Sequence, residues 1–305
     1  MTSDRPGDVP GQVELHDIEN QAEPGWTPSA RQRERDAYRR GRTLRSVLIA
    51  VASTAVVGGG LVAGLVSSPG WDRTRDTFFN WDVAVDAFPE VLAGFWINVK
   101  IFLISGACVL VFGLLLAVLR TLRGPVFWPL RALAVGYIDL FRGLPLILTL
   151  LLVGFGVPGL RLQGVPTDPV VLGCVALVLT YSAYVAEVFR AGIESVHPSQ
   201  RAAARSLGLS GPQTLRYVVL PQAVRRVVPP LLNDLVALTK DSGLISILGA
   251  AIDAVRAAQI ITAQTFNFTP YVVAGVLFLL LTIPLTRLTD YVSRRYGYLP
   301  AGGHL

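Results

Sequence analysis

Apolar runs about as long as a bilayer is thick recur along most of this sequence. A hydrocarbon core about 30 Å thick is crossed by roughly 20 apolar residues in a helix. Inside lipid the backbone must satisfy its own hydrogen bonds, which a helix does within one segment. The sequence therefore predicts an all-α integral membrane protein with six transmembrane helices. The predicted spans are residues 46–66, 92–119, 132–155, 170–189, 227–250 and 268–286.

The composition excludes an ordinary soluble domain. Of the 305 residues, 52% are hydrophobic and 16% are charged, whereas soluble domains carry about 25% charged residues. The formal net charge of +6 comes almost entirely from arginine, because the only lysines are Lys100 and Lys240. In a membrane protein an arginine excess marks cytoplasmic loops. No module for nucleic-acid recognition accompanies it.

No catalytic, metal or cofactor site is predicted in this chain. Cys108 and Cys174 fall inside apolar runs, which favours neither a disulfide framework nor a metal site. His16, His197 and His304 are far apart and lack a ligand partner at metal-binding spacing. Neither lysine belongs to the pattern G-x-x-x-x-G-K followed by Ser or Thr, which cradles nucleotide phosphates.

The distribution of charge predicts the domain organisation. Arginines precede the first span and follow the last, which places both termini in the cytoplasm. The polar N-terminal segment cannot bury enough apolar surface to become ordered; a docking arm is the alternative. The predicted parts are a disordered basic cytoplasmic tail (1–43), an extra transmembrane helix (44–66), an extracytoplasmic loop (67–90), a five-helix core (91–295) and a cytoplasmic tail (296–305).

Charged residues within the spans are costly, so each needs a partner or a function. Asp139 and Arg142 lie three residues apart on one helix face, and we expect them to pair. Glu187 has Arg190 at the same spacing, and we expect that pair as well. Pro145 is expected to kink the third span.

A polar stripe marks the fifth predicted span. At 100° per residue, Asn233, Asp234, Lys240 and Asp241 fall within about 120°. Such a stripe faces a partner helix, an aqueous cavity or the cytoplasmic surface rather than lipid. The candidate substrate path or gate comprises Asn98, Arg142, Tyr184, Glu187, Asn233, Lys240 and Asp241.

A basic segment separates the fourth and fifth predicted spans. Pro198 suits a first helical turn, and the run after it is rich in alanine and arginine, which favour helix. Gly208 stands where a left-handed residue ends a helix, and Ser210 with Gln213 has capping-box spacing. The segment predicts two short helices around a sharp turn, the second disrupted by Pro221. Its composition is also typical of a helix on anionic lipid.

The same segment carries a longer pattern. The stretch AAARSLGLSGPQTLRYVVLP at residues 202–221 keeps three alanines, then Gly208, then Leu220 and Pro221. At these spacings it resembles the cytoplasmic motif of permease subunits in bacterial ATP-binding-cassette (ABC) importers, written E-A-A, three residues, G, nine residues, I-x-L-P. Ala202 stands where the family has its glutamate, so no charged role is assigned to that position.

Other stretches extend the resemblance to about residues 90–295. ARSLGLS and LPQAVRR look like the polar amino-acid branch of the family, and DLFRGLPLILTLL, AYVAEVFRAGI and ALTKDSGLISILG are similar to further blocks of it. The resemblance identifies residues 91–295 as a permease core with a coupling loop at 194–221. The residues it implies in contact with an ATPase are Ala203, Arg205, Ser206, Leu207, Gly208, Leu209, Leu220 and Pro221.

The resemblance implies a transport subunit that moves a polar amino acid of the glutamate, glutamine, arginine or histidine type by alternating access. ATP and Mg would bind a separate P-loop ATPase dimer. A second permease subunit and an extracytoplasmic solute-binding protein would complete the importer in the bacterial cytoplasmic membrane.

Two alternatives come from other classes of protein. An ion-coupled secondary transporter would use Asp139, Glu187 or Asp234 as ion or proton sites, although no inverted repeat is evident. A membrane scaffold would use the basic segment as a lipid-binding helix. Dependence on a co-purifying ATPase distinguishes the importer from both.

Overall fold

The computed structural model describes residues 29–122, 124–249 and 252–295. Helix is the only regular secondary structure in these residues, which confirms the predicted all-α class. The α-helices are α1 (Ala30–Val66), α2 (Trp71–Phe78), α3 (Trp81–Thr121), α4 (Trp128–Gly143), α5 (Leu146–Gly159), α6 (Pro169–Glu194), α7 (Pro198–Ser206), α8 (Gly211–Thr214), α9 (Leu220–Asp241), α10 (Ala254–Thr265) and α11 (Thr269–Arg295).

The chain divides into two units, Met1–Trp71 and Asp72–Leu305. In the first unit, α1 contains the predicted extra span, because Arg45–Val66 is long and apolar enough to cross a membrane. The helix begins at Ala30, so residues 30–43 are helical and not the disordered tail that we predicted. Their alanine, arginine, glutamine and glutamate content favours helix. Residues 1–28 and 296–305 lie outside the described residues.

In the second unit, α3 is the central helix and contacts α4, α6, α9, α10 and α11. Its small residues allow close approach, as is usual between membrane helices. A Cβ atom at Gly113 would lie 2.5 Å from Val185 Cγ1, and one at Gly94 would lie 2.5 Å from the Asp253 carbonyl carbon. The predicted loop 67–90 is largely helical, because it contains α2 and the first turns of α3. Asn80 caps α3 by accepting a hydrogen bond from the Val83 N–H at 3.2 Å.

The predicted count of six spans is not confirmed. Four described helices are long and apolar enough to cross a membrane, or five when α4 and α5 are counted together. These two helices replace the predicted third span, and they meet at an angle of 107°. The break falls at Leu144, which is extended (φ −89°, ψ 135°) because it precedes Pro145.

The predicted fifth span also differs from the structure. Helix α9 covers its first part but is not among the four candidate spans, since its proline and charged residues lower its hydropathy. A 3₁₀ segment, Ser242–Leu248, follows it and ends at Gly249, which has φ 79°. Helix α10 then returns to the core, where Asp253 and Ala254 have no exposed surface. Helix α10 is therefore packed against α3 and α11.

Candidate functional site

The basic segment adopts the predicted pair of short helices around a turn. At the turn Gly208 has φ 85°, a left-handed conformation that favours glycine. Ser210 Oγ then accepts from the Gln213 N–H at 3.4 Å, and the Ser210 N–H donates to Gln213 Oε1 at 2.8 Å. The predicted C-terminal glycine of α7 and the capping box of α8 are both confirmed.

Pro221 disrupts the regular α-helical pattern, as predicted, but the helix does not end there. The chain passes from α8 through a single π-helical segment, Leu215–Val219, directly into α9. Pro221 has no N–H to donate, and the wider hydrogen-bond pattern before it lets the helix continue. The Leu220 N–H donates to the Leu215 carbonyl within this pattern. No loop therefore separates α8 from α9, and the helix runs from the basic segment directly into α9.

Contacts with the end of α6 hold the segment in place. Val196 and Ala204 are buried, and Arg201 Nη2 donates to the Ile193 carbonyl oxygen at 2.6 Å. Arg226 on α9 donates to the Ser195 carbonyl oxygen. Because both arginines reach back to the same turn, α7 and α9 are tied to the C-terminal end of α6.

The opposite face of the segment is open. Leu207 is 85% exposed and Leu220 is 49% exposed, while Leu209 is half-buried. The remaining predicted contact residues are exposed: Ala203, Arg205, Ser206, Gly208 and Pro221. These side chains are therefore accessible to a partner protein.

A cluster of charges surrounds Glu187 in the last two turns of α6. The Glu187 side chain is 14% exposed and pairs with Arg120, with Arg142 at 3.7 Å and with Arg190 at 2.7 Å. The predicted Glu187–Arg190 pair is confirmed. The predicted Asp139–Arg142 pair is wrong, because Arg142 in the last turn of α4 reaches the less exposed carboxylate of Glu187.

Sequence reasoning missed the Arg120–Glu187 pair. The Arg120 guanidinium, near the end of α3, contacts Glu187 on α6. Arg190 also contacts Glu194 at 2.5 Å. Within the cluster only the Glu187–Arg190 pair follows from sequence spacing, because Arg120 and Arg142 reach Glu187 from α3 and α4.

The polar stripe of α9 divides between two environments. Tyr181 on α6 donates from its hydroxyl to Asp241 Oδ2 at 2.6 Å. Asp234 is seven positions earlier, two turns away on the same side, and its Oδ2 is buried without a partner in the described residues. Successive residues of a helix point about 100° apart. Asp234 and Asp241 therefore face inward, whereas Asn233 and Lys240, one position earlier in each case, are exposed.

Asn98 is a buried junction with 1% exposure. Its Nδ2 donates to the Ser242 carbonyl at 3.1 Å and to Asp253 Oδ2 at 3.0 Å, and its Oδ1 accepts from the Ala254 N–H at 3.0 Å. Sequence reasoning missed Asp253. The available signal was an aspartate directly before an alanine-rich helix, which is an N-cap pattern.

These groups form a continuous chain across α6. The Arg142 guanidinium lies 6.0 Å from the centre of the Tyr184 ring, and that ring is 6.3 Å from Tyr181. Tyr181 donates to Asp241, and the carbonyl oxygen of the next residue, Ser242, accepts from Asn98. The structure therefore connects five of the seven predicted path residues and leaves Asn233 and Lys240 outside the chain.

Comparison with known proteins found a match over residues 109–298 to the family model described as binding-protein-dependent transport system inner membrane component. The chain is 35% identical over 219 residues to the probable glutamine ABC transporter permease protein GlnM of Bacillus subtilis, covering 71% of this chain and 97% of the relative. It is 33% identical to the arginine transport system permease protein ArtQ of the same organism, covering 71% and 96% of the two chains.

Solved structures give the same picture. The fold matches a crystal structure of an amino acid ABC transporter with histidines at a TM-score of 0.63 and 32% identity, covering 69% of this chain and 96% of the other. It matches the MetNI methionine ABC transporter in an inward-facing conformation at a TM-score of 0.55 and 21% identity, covering 68% and 95%. The second likeness supports the fold alone.

Proposed function

This chain belongs to the family of inner membrane components of binding-protein-dependent transport systems, the permease subunits of ABC importers, and we propose that it moves a polar amino acid across the cytoplasmic membrane by alternating access. Permease subunits of this family are transport components, and ATP is hydrolysed on a separate subunit. The observation that carries the substrate class is the 33–35% identity to permeases named for glutamine, arginine and glutamate.

The proposed assembly contains two permease subunits, two P-loop ATPase subunits that bind ATP and Mg, and an extracytoplasmic solute-binding protein. Alternating access needs two halves that rock against each other, and this chain supplies one. Both termini face the cytoplasm in this proposal, because arginines outnumber acidic residues in residues 31–45, directly before the first span, and after residue 286. Helix α9 is proposed as a further span that borders the path rather than lipid, which agrees with its low hydropathy.

The open face of the basic segment is proposed to bind a groove on the ATPase, as a helix-in-groove contact. Its support is the contrast between Ala204, which is buried on α7, and Leu207, which directly follows α7 and is 85% exposed. The helix is anchored on one side and free on the other. Movement of the ATPase would then be transmitted to α6 and α9, to which the segment is tied.

The chain of polar groups across α6 is proposed to border the substrate path. An amino acid carries an ammonium and a carboxylate, so its path needs acceptors and donors together. Asp234 offers an unpartnered carboxylate oxygen, and Arg142 offers a guanidinium that is 44% exposed. Asn98 is fully bonded, so its proposed role is to hold Ser242 and the start of α10 together.

The test is purification of the tagged chain in mild detergent, followed by amino-acid-stimulated ATP hydrolysis. We expect a P-loop ATPase to co-purify with the wild type and to be lost from Leu207→Asp and Gly208→Pro. Leu162→Asp is the matched control, because Leu162 is 54% exposed in the loop between α5 and α6. Uptake that follows an ion gradient without any ATPase would favour a secondary transporter and contradict the proposal.

A further inference from the structure

A polar cavity lies where α3 and α6 end and where α4 and α7 begin. Its volume is about 570 Å³. Glu194 is the only carboxylate among its described lining residues. The arginines that line it are Arg120, Arg131, Arg190 and Arg201. The cavity is therefore positively charged, and its lining contains none of the predicted path residues.

Two of these four arginines already have ion-pair partners. Arg120 and Arg190 both pair with Glu187, and Arg190 also contacts Glu194. The arginines that remain to be matched with an anion are Arg131 and Arg201.

Arg131 and Arg201 form no ion pair within the described part of the chain. Arg131 Nη1 is 3.5 Å from the Leu122 carbonyl oxygen, and Arg201 Nη2 donates to the Ile193 carbonyl oxygen at 2.6 Å. Arg201 Nε is buried and has no partner among the described residues. A buried donor without an acceptor is unfavourable, and an anion with several acceptor oxygens would satisfy it.

A phosphate group has the matching chemistry. Guanidinium groups bind phosphate oxygens through paired N–H donors. Basic pockets between membrane helices on the cytoplasmic side bind lipid headgroups, and the anionic lipids of that leaflet are attracted to such charge. We propose that this cavity binds the phosphate group of an anionic phospholipid of the cytoplasmic leaflet, between Arg131 of α4 and Arg201 of α7. The lipid source depends on the cytoplasmic orientation proposed above; the phosphate site itself does not.

The position of the cavity gives the bound group a role. Arg131 belongs to the helix that leads into the α4–α5 break, and Arg201 belongs to the short helix that precedes the exposed Leu207. One phosphate held by both arginines would join these two elements. The membrane composition would then affect how firmly α7 is held while the ATPase acts on it.

The test uses the full chain with its co-purified ATPase in nanodiscs of phosphatidylcholine with increasing phosphatidylglycerol, and native mass spectrometry counts the retained phosphatidylglycerol. The cavity variant is Arg131→Gln with Arg201→Gln. The control is Arg216→Gln with Arg225→Gln, which removes two exposed arginines outside the cavity. We expect the cavity variant to need at least about tenfold more phosphatidylglycerol for equal retention, and the control to match the wild type.

A second arm distinguishes the lipid from free phosphate. Thermal unfolding is measured in pure phosphatidylcholine nanodiscs with inorganic phosphate or with chloride at equal ionic strength. If phosphate stabilises the wild type but not the cavity variant, and phosphatidylglycerol is not retained, the phosphate site is supported and its source is soluble.

Two results would overturn the proposal. If the cavity variant and the control respond alike in both arms, the proposal is overturned. Loss of the ATPase from the cavity variant with an unchanged phosphate response also overturns it, because the cavity would then hold a side chain of the partner. Should the double variant fail to fold, Arg131→Lys against Arg225→Lys makes the same comparison, since lysine keeps the charge without the paired donors.

Discussion

The carboxylate of Glu187 lies among three guanidinium groups that come from three helices. A half-buried acid in this setting holds the helix ends together, and its removal leaves like charges facing one another. Such an arrangement makes one acidic residue more important to the bundle than the exposed pairs elsewhere, which contribute little.

Glu187→Gln is expected to destabilise the bundle by about 1–3 kcal/mol, because it removes the shared partner of three arginines. The measurement is thermal unfolding in detergent, where we expect a fall in Tm of several degrees. Glu194→Gln is the control: the Glu194 side chain is 61% exposed, so the change should be smaller than about 1 kcal/mol. Equal changes in the two variants would show that the cluster has no special role.

Gly208 is required by its backbone rather than by its surroundings. A Cβ atom added there would have no other atom within 4 Å, but φ is 85°. Gly208→Ala should therefore strain the turn by about 1 kcal/mol and weaken retention of the ATPase without unfolding the chain. Gly211→Ala is the control, because its site is equally open and has no positive φ. Pull-down of the ATPase at graded salt measures the difference.

The helices differ in how far their sequences predict them. The end of α7 follows from a left-handed glycine and the start of α8 follows from a capping box, and both were predicted correctly. The break between α4 and α5 was predicted only as a kink at Pro145, because a proline indicates where a helix is disturbed but not the angle at which the chain continues. The burial of α10 was missed, because contacts with α3 decide it.

The site shows the same limit. The pairing of Glu187 with Arg190 follows from helical spacing, whereas Arg120 and Tyr181 reach their partners from other helices. Residues that meet only in the folded bundle carry no common spacing. The stripe on α9 was predicted as one face, and the neighbours on α6 divide it.

Helices α6 and α9 touch where the basic segment joins them. A Cβ atom at Gly192 would clash with Val227 Cγ2 and would lie 3.3 Å from the Ala223 carbonyl oxygen. Gly192→Ala is expected to cost about 1–3 kcal/mol by overpacking and to reduce amino-acid-stimulated ATP hydrolysis.

The rescue variant for this contact is Gly192→Ala with Val227→Ala, which removes the side chain that the new methyl group meets. A double-mutant cycle in thermal unfolding should show a favourable coupling of about 0.5–3 kcal/mol. Additive effects would mean that the two helices already have room to separate.

The membrane orientation of the whole chain can be tested with single cysteines. Leu162→Cys, between α5 and α6, should react with a membrane-impermeant maleimide in intact spheroplasts. Arg225→Cys, near the start of α9, should react only after permeabilisation. The wild type is the background control, since Cys108 and Cys174 are both half-buried. Labelling of both positions from the same side would refute the proposed topology.

Helix α1 forms part of a unit of its own, and its apolar window has no buried residues. It also leaves the ribosome before every other apolar helix of this chain. The first membrane helix usually decides the orientation of those that follow, through the arginines beside it. Helix α3 is instead preceded by aspartates at 72 and 76 and begins with another at 82, which give an insertion machinery little guidance. We therefore expect a biosynthetic role for α1, which is to orient the nascent chain during membrane insertion.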